Sequence, residues 1–174
     1  MNSLILITGG SRSGKSRMAL DLARELEPKI FVATAEPRDE EMKERILRHR
    51  LERGNGWLTI EEPYLLKEVL VQNQTGVMVV DCLTLWLSNA LERTSAQAEI
   101  ASASEDWLRA ARSRNSTTIL VTNEVGMGIV PSTSSGRTFR DLCGALNQRM
   151  ASAADKVIFM VSGLPLYLKQ EGKS

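Results

Sequence analysis

The stretch GGSRSGKS, Gly9 to Ser16, follows the apolar run LILIT (Leu4 to Thr8) and opens a segment of helical periodicity. It matches G-x-x-x-x-G-K-[ST] with Gly9, Gly14, Lys15 and Ser16 in the fixed places, in the strand-before, helix-after context that the pattern requires. A chain built this way brings a buried strand to a sharp glycine turn and leaves it as a helix, which confines it to an α/β architecture. The glycines let the backbone curl so that successive N–H groups face phosphate oxygens, and the helix N-terminus adds its positive dipole end. Lys15 is then placed for the outer phosphates of a nucleoside triphosphate and Ser16 for a Mg²⁺ ion. The competing reading is a small-residue turn with no ligand, which leaves four fixed positions to coincidence.

The rest of the chain repeats the alternation. Short runs rich in Val and Ile recur at Ile30 to Thr34, Val77 to Asp81, Thr118 to Thr122 and Lys156 to Val161. Between them, periodicity predicts helices over Lys15 to Leu26, Glu40 to Arg53, Tyr64 to Val71, Leu83 to Leu91, Ala96 to Arg114 and Arg137 to Ala153. The runs barely alternate, so both of their faces are covered. Together these features predict a P-loop NTPase with a mostly parallel, doubly wound sheet and helices on both sides. The run PLYLK (Pro165 to Lys169) adds an edge strand after a turn at Ser162 and Gly163, and PSTSSG (Pro131 to Gly136) reads as a loop, mobile unless a ligand orders it.

With 174 residues, the chain fits one domain spanning residues 1–174. Hydrophobic residues at 43% and a formal net charge of +1 exclude a global basic field that would draw it to nucleic acid or membranes. The N-terminal apolar run is too short for a membrane span and lacks the flanks of a signal peptide. Cys82 and Cys143 lie far apart, outside any CxxC or Cys/His cluster, and read as buried thiols in a reducing cytoplasm.

Asp81 closes its strand where a doubly wound sheet presents side chains to the ligand crevice, which suits the metal-side acid of a phosphate site. An aspartate at that point also caps a following helix, so both roles stay open. A regulatory GTPase does not fit: DLCG (Asp141 to Gly144) falls inside a predicted helix, and no N-K-x-D motif reads a base.

The only histidine, His49, stands in RILRHRLERG, Arg45 to Gly54. On a helix, Arg45, His49 and Arg53 share nearly one face with Arg50 beside them, while Leu47 and Leu51 lie on another side, from which they are expected to anchor the helix to the sheet. Met42 and Ile46 also project near His49. One reading is a solvated basic face with an incidental histidine. In the other, arginine forks hold phosphate beside a ring that neighbouring positive charge keeps neutral and nucleophilic. Attack on the α-phosphorus of a triphosphate would then give a nucleotidyl-histidine.

At this point the residues resemble the bifunctional adenosylcobinamide kinase/adenosylcobinamide-phosphate guanylyltransferase family of cobalamin biosynthesis. The resemblance runs nearly end to end, through GGSRSGKS, FVATAEPRDEEMKERILRHRLERG, WLTIEEP, DCLTLWLSN, VTNEVGMGIVP, FRDLCGALNQRMA and SGLPLYLK. It implies a nucleoside triphosphate, ATP or GTP, for phosphorylating adenosylcobinamide, and GTP for the transfer of GMP to adenosylcobinamide phosphate. The GMP passes through a histidine at the position of His49. The resemblance further implies nucleotide contacts at Gly9, Gly10, Ser11, Arg12, Ser13, Gly14, Lys15 and Ser16, at Thr34, Ala35 and Glu36, at Arg50, Leu51, Glu52 and Arg53, and at Glu61 and Asp81. Lys15 serves catalysis with His49, and Ser16 and Asp81 serve Mg²⁺. A sheet of the recombinase-ATPase kind and a homotrimer belong to the same resemblance.

Glu124, in NEVGMG after a strand, is a candidate general base for the kinase step, or alternatively a holder of that glycine-rich loop. The apolar NEVGMGIVP segment is an expected place for the corrinoid. Two other functions compete: a small-molecule kinase in which His49 is a surface residue, and a nucleotide-binding regulator without turnover.

Overall fold

The computed structural model describes residues 2–170, apart from the side chain of Arg45. The apolar runs form β1 (Leu4–Gly9), β2 (Lys29–Ala33), β4 (Val77–Asp81), β5 (Thr118–Val121) and β6 (Lys156–Val161), with β3 (Trp57–Glu61) and β7 (Leu164–Lys169) at the two edges. Sheet order is β3-β2-β4-β5-β1-β6-β7, parallel throughout except for the antiparallel β6–β7 hairpin. Ser162 and Gly163 carry φ of 52° and 82°, the two positive values of a tight hairpin turn whose twist matches its strands.

Chain direction explains where the helices lie. The steps β1→β2→β3 run one way along the sheet and carry α1 (Lys15–Leu22) and α2 (Glu40–Arg53). The steps β3→β4→β5→β6 run the other way and carry α3 (Leu66–Gln72), α4 (Leu83–Arg93), α5 (Gln97–Ser113) and α6 (Ser134–Ala153). Right-handed crossovers put opposite directions on opposite faces. Accordingly, Ile5, Ile7, Phe31, Val79 and Ile119 pack with Ala19 of α1 and with Ala23, which caps it. Leu4, Leu6, Val32 and Val80 pack on the other face with Trp86, Trp107, Leu146 and Met150 of α4 to α6.

Several boundaries differ from the sequence reading. β3 was not among the predicted strands: WLTIE alternates polar and apolar residues at an edge, with no Val/Ile run. PSTSSG is not a free loop, because Thr133 Oγ1 accepts from Gly136 N at 3.1 Å and caps α6, whose first turn is Ser134 to Gly136. Helix α1 ends at Leu22, four residues before the predicted Leu26, and Ala23 closes it with a backbone bond to Ala19 O.

Far from the carboxyl ends of the strands, Arg114 is fully buried after α5. Nε donates to Asn73 O at 2.7 Å, Nη1 to Thr117 O and Thr118 Oγ1 at 3.1 and 2.7 Å, and Nη2 to Thr75 O and Gly76 O at 3.2 and 2.7 Å. These bonds use every donor that a guanidinium has and hold the turns before β4 and β5 together. Burial lowers its pKa to about 10. Replacing it by methionine would leave buried carbonyls without donors, so Arg114→Met is expected to lose about 3 kcal/mol or more of stability, read from the urea midpoint. Arg114→Lys, with fewer donors, should recover only part of it.

Candidate active site

The phosphate loop lies between β1 and α1. Gly9 has φ +148°, and a Cβ there would stand 2.4 Å from Met160 O and 2.9 Å from Ser13 Oγ, so the close approach requires glycine. Gly14, at φ +94°, is the left-handed N-cap of α1. The loop's carbonyls are taken up from outside and within. Gly9 O accepts from Glu124 N at 3.0 Å, Ser13 O from Gly163 N of the β6–β7 turn at 3.0 Å, and Gly10 O from Lys15 Nζ at 2.6 Å. Carbonyls held this way leave the amides as the loop's donors for an anion. Arg12 completes the curl at φ 54°, while Ser13 is buried and Ser16 half-buried.

Strand alternation puts Phe31, Thr59, Glu61 and Asp81 on the α1 face, and in register Ala33 stands between Glu61 and Asp81. Asp81 Oδ2 is buried and has no hydrogen-bond partner among the described residues. Helix α2 lies above this face. Arg50 Nη2 reaches Glu61 Oε1 at 3.2 Å. The Arg53 guanidinium stacks 3.8 Å over the Phe31 ring, and its Nη2 donates to Thr59 Oγ1 at 3.2 Å. Burial, followed by the neighbouring Arg50, lowers the Arg53 pKa, and Asp81 and Glu61 oppose that shift.

Between α1, α2 and the sheet is a cavity of about 650 Å³. Ser16 of the phosphate loop and His49, Glu52 and Arg53 of α2 line it, with Phe31 and Trp57 on the sheet side. The lone histidine and the phosphate loop therefore share one cavity.

Helix α2 is set by local signals. Asp39 caps it by accepting from Met42 N at 2.7 Å, acids fill its first turn, and Arg50 and Arg53 its last. Met42, Ile46, His49 and Arg53 form its half-buried stripe. Leu47 and Leu51 do not anchor it: they are 57% and 74% exposed, because the stripe through residues 42, 46, 49 and 53 turns them outward. Of the arginines grouped with His49 by sequence, Arg53 joins it in the cavity, Arg50 turns to Glu61, and the Arg45 side chain lies outside the described residues.

Thr34 is fully buried, and its hydroxyl donates to Cys82 O at 2.7 Å while accepting from Cys82 N at 2.8 Å. It joins the end of β2 to the start of α4, so its role in holding the crevice runs through the backbone. Ala35 and Glu36 follow, half-buried, and Glu36 pairs with Arg38 at 2.5 Å. Arg38 also bonds Glu92, and these two carboxylates, Glu92 first, raise its pKa.

The sequence reading missed Asn89. It is 3% exposed, donates to Thr34 O at 2.8 Å and Pro63 O at 3.4 Å, and accepts from Arg38 Nη2 at 3.0 Å. One amide thus ties the loops after β2 and β3 to α4. Its only signal was a polar residue inside the apolar run LTLWLSNAL.

Of the two roles open to Glu124, the structure forms the second: Oε1 accepts from Gly126 N at 2.6 Å and holds the glycine-rich loop. Beyond it Met127, Ile129 and Val130 are 79%, 98% and 59% exposed. Cys82 and Cys143 are buried free thiols, and burial raises their pKa values to about 12 and about 11. No helix among the described residues is long and apolar enough to cross a membrane.

Solved structures similar to this chain include an ATPase domain and a KaiC-like protein. The ATPase domain aligns over 99% of this chain and 78% of its own, with a TM-score of 0.57 and 13% identity. The KaiC-like protein, from Pyrococcus horikoshii, aligns over 98% and 81%, with a TM-score of 0.54 and 15% identity. At those identities the likeness establishes the recombinase-ATPase kind of fold. The bifunctional adenosylcobalamin biosynthesis protein CobP of Pseudomonas aeruginosa is 41% identical over 95% of this chain and 97% of its own length. CobU of Escherichia coli, of the same description, is 35% identical over 95% and 99%. The model of the cobinamide kinase/cobinamide phosphate guanyltransferase family matches residues 5–168, and this chain belongs to that family.

Proposed function

We propose that this chain phosphorylates adenosylcobinamide with a nucleoside triphosphate and then moves GMP from GTP to adenosylcobinamide phosphate through His49, giving adenosylcobinamide-GDP. The observation that carries this reading is the single cavity walled by Ser16 of the phosphate loop and by His49. Family membership supplies the pair of reactions.

In the transfer, a nitrogen of His49 attacks the α-phosphorus of GTP. A P–N bond forms, and the bond to the β-phosphate oxygen breaks to release pyrophosphate. A phosphate oxygen of adenosylcobinamide phosphate then attacks the same phosphorus and frees the imidazole. The loop amides and Lys15 bind the outer phosphates, and Arg53, unable to lose its charge at physiological pH, offsets negative charge that builds at the α-phosphorus. Arg50, Glu52, Glu61 and the Thr34 to Glu36 segment, Thr34 through its backbone, complete the nucleotide contacts in this reading, whereas the Leu51 side chain turns away from the cavity.

The donors fit a magnesium ion. The unpartnered Oδ2 of Asp81 and the Ser16 hydroxyl are hard oxygen ligands, and Mg²⁺ is commonly held by one or two protein groups plus substrate phosphates. When bound, it neutralises charge on the phosphates.

Two further assignments rest on the resemblance: the homotrimer, and a cytoplasmic location, which the free buried thiols suit. The exposed Met127, Ile129 and Val130, whose loop is tied to Gly9 through Glu124 N, support corrinoid docking beside the phosphate loop.

Labelling with α-phosphate-labelled GTP tests the histidine route. The wild type should form an acid-labile, base-stable adduct, and His49→Ala should form none. Equal labelling of the variant would put the adduct on another residue and overturn the His49 route, and no adduct in the wild type would leave a kinase with a surface histidine. Asp81→Asn should raise the Mg²⁺ concentration for half-maximal turnover by about tenfold or more, measured by metal titration of either reaction.

A further inference from the structure

Helix α2 carries His49, yet none of its described side chains is fully buried. Something must fix both its placement on the sheet and the arginine beside the histidine. Arg53 is fixed on two sides: its guanidinium lies 3.8 Å over the Phe31 ring, and Nη2 donates to Thr59 Oγ1 at 3.2 Å. Its Nε and Nη1 have no hydrogen-bond partner among the described residues, and the nearby Glu61 is engaged by Arg50 at 3.2 Å. Phe31 is itself packed in place, 4% exposed on a strand flanked by β3 and β4, with Trp57 edge-on at 6.0 Å.

We propose that Phe31 is a positioning residue for the nucleotide reaction: its ring face holds the Arg53 guanidinium in the cavity beside His49, with the Nε and Nη1 donors left for phosphate. This rests on the reading that the nucleotide's phosphates enter that cavity. A free arginine side chain has many rotamers, and stacking on a fixed ring removes that freedom before the ligand arrives. The ring's negative face attracts the cation without neutralising it as a carboxylate would. Burial leaves the charge thinly hydrated, which strengthens its pull on an anion. Arg53 stands one helical turn after His49, so the same stack registers the nucleophile over the sheet.

Equilibrium GTP binding, measured separately from His49 labelling, tests the assignment. Phe31→Leu, which keeps an apolar side chain and removes the ring, should weaken GTP binding about tenfold, whereas Phe31→Tyr, which keeps the ring face, should retain most of the affinity. Arg53→Lys should also lose about tenfold, and the double variant Phe31→Leu/Arg53→Lys should bind no worse than Arg53→Lys alone. Thermal melts establish that each variant is folded, and Phe31→Met takes the place of Phe31→Leu if leucine is not tolerated. Wild-type affinity in Phe31→Leu, or losses that multiply in the double variant, overturns the proposal. A wild type that binds GTP with this coupling but gives no histidine adduct overturns the covalent route and leaves the role of Phe31 standing.

Discussion

A phosphate loop binds an anion with its amides only if something else occupies its carbonyls, and here that constraint reaches across the sheet. Gly9 O is held by the segment after β5, Ser13 O by the β6–β7 turn, and Gly10 O by the lysine that follows. The loop's shape therefore depends on β5, β6 and β7 being in register with β1. The last hairpin, which lies far from the loop in sequence, is part of the phosphate site through Gly163. The glycine at position 9 answers the same demand from the other side, since the carbonyl of Met160 on β6 leaves no room for a side chain.

The two faces of the sheet divide the work. Helices α3 to α6 bury the larger core, and from that face Asn89 and Thr34 fasten the loops at the carboxyl ends of β2, β3 and β4. The opposite face carries α1 firmly and α2 loosely, leaving an open cavity between them. On that same α1 face the central strand β4 presents a fixed acid, Asp81, while the helix with the nucleophile rests on a cation stacked on a ring and an exposed ion pair. Exposed pairs hold little, roughly 0–1 kcal/mol, so the stack of Arg53 on Phe31 is the stronger of these two tethers.

Much of the fold was legible because its buried strands are plain Val/Ile runs and its phosphate loop has four fixed residues. Strand β3 escaped because an edge strand with one wet face loses the run and keeps only a five-residue alternation. The leucines of α2 misled because apolar character alone does not say which stripe faces the sheet; Met42, Ile46, His49 and Arg53 won that position, with the arginine covering an aromatic ring. At the site, residue types in fixed spacing pointed to Lys15, Ser16, Asp81 and His49. Asn89 was hidden because its partners, two backbone carbonyls and the Arg38 side chain, come from two distant loops, which no local pattern encodes. Which atom of Thr34 faces the crevice was not legible either, because its hydroxyl is committed to the backbone of Cys82, a partner distant in sequence.

The buried Arg114 has a consequence for how this protein meets acid. Its partners are four carbonyl oxygens and a hydroxyl, none of which gains a proton at any pH a protein experiences. Ion pairs, such as the neighbouring Arg112 with Asp155 at 2.6 Å, weaken once their carboxylates protonate. The Arg114 network does not, and it loses its charge only above pH about 10. The turns before β4 and β5 are thus fastened by bonds that acid leaves intact, so acid loosens the start of β6, where Asp155 sits, before it loosens these turns.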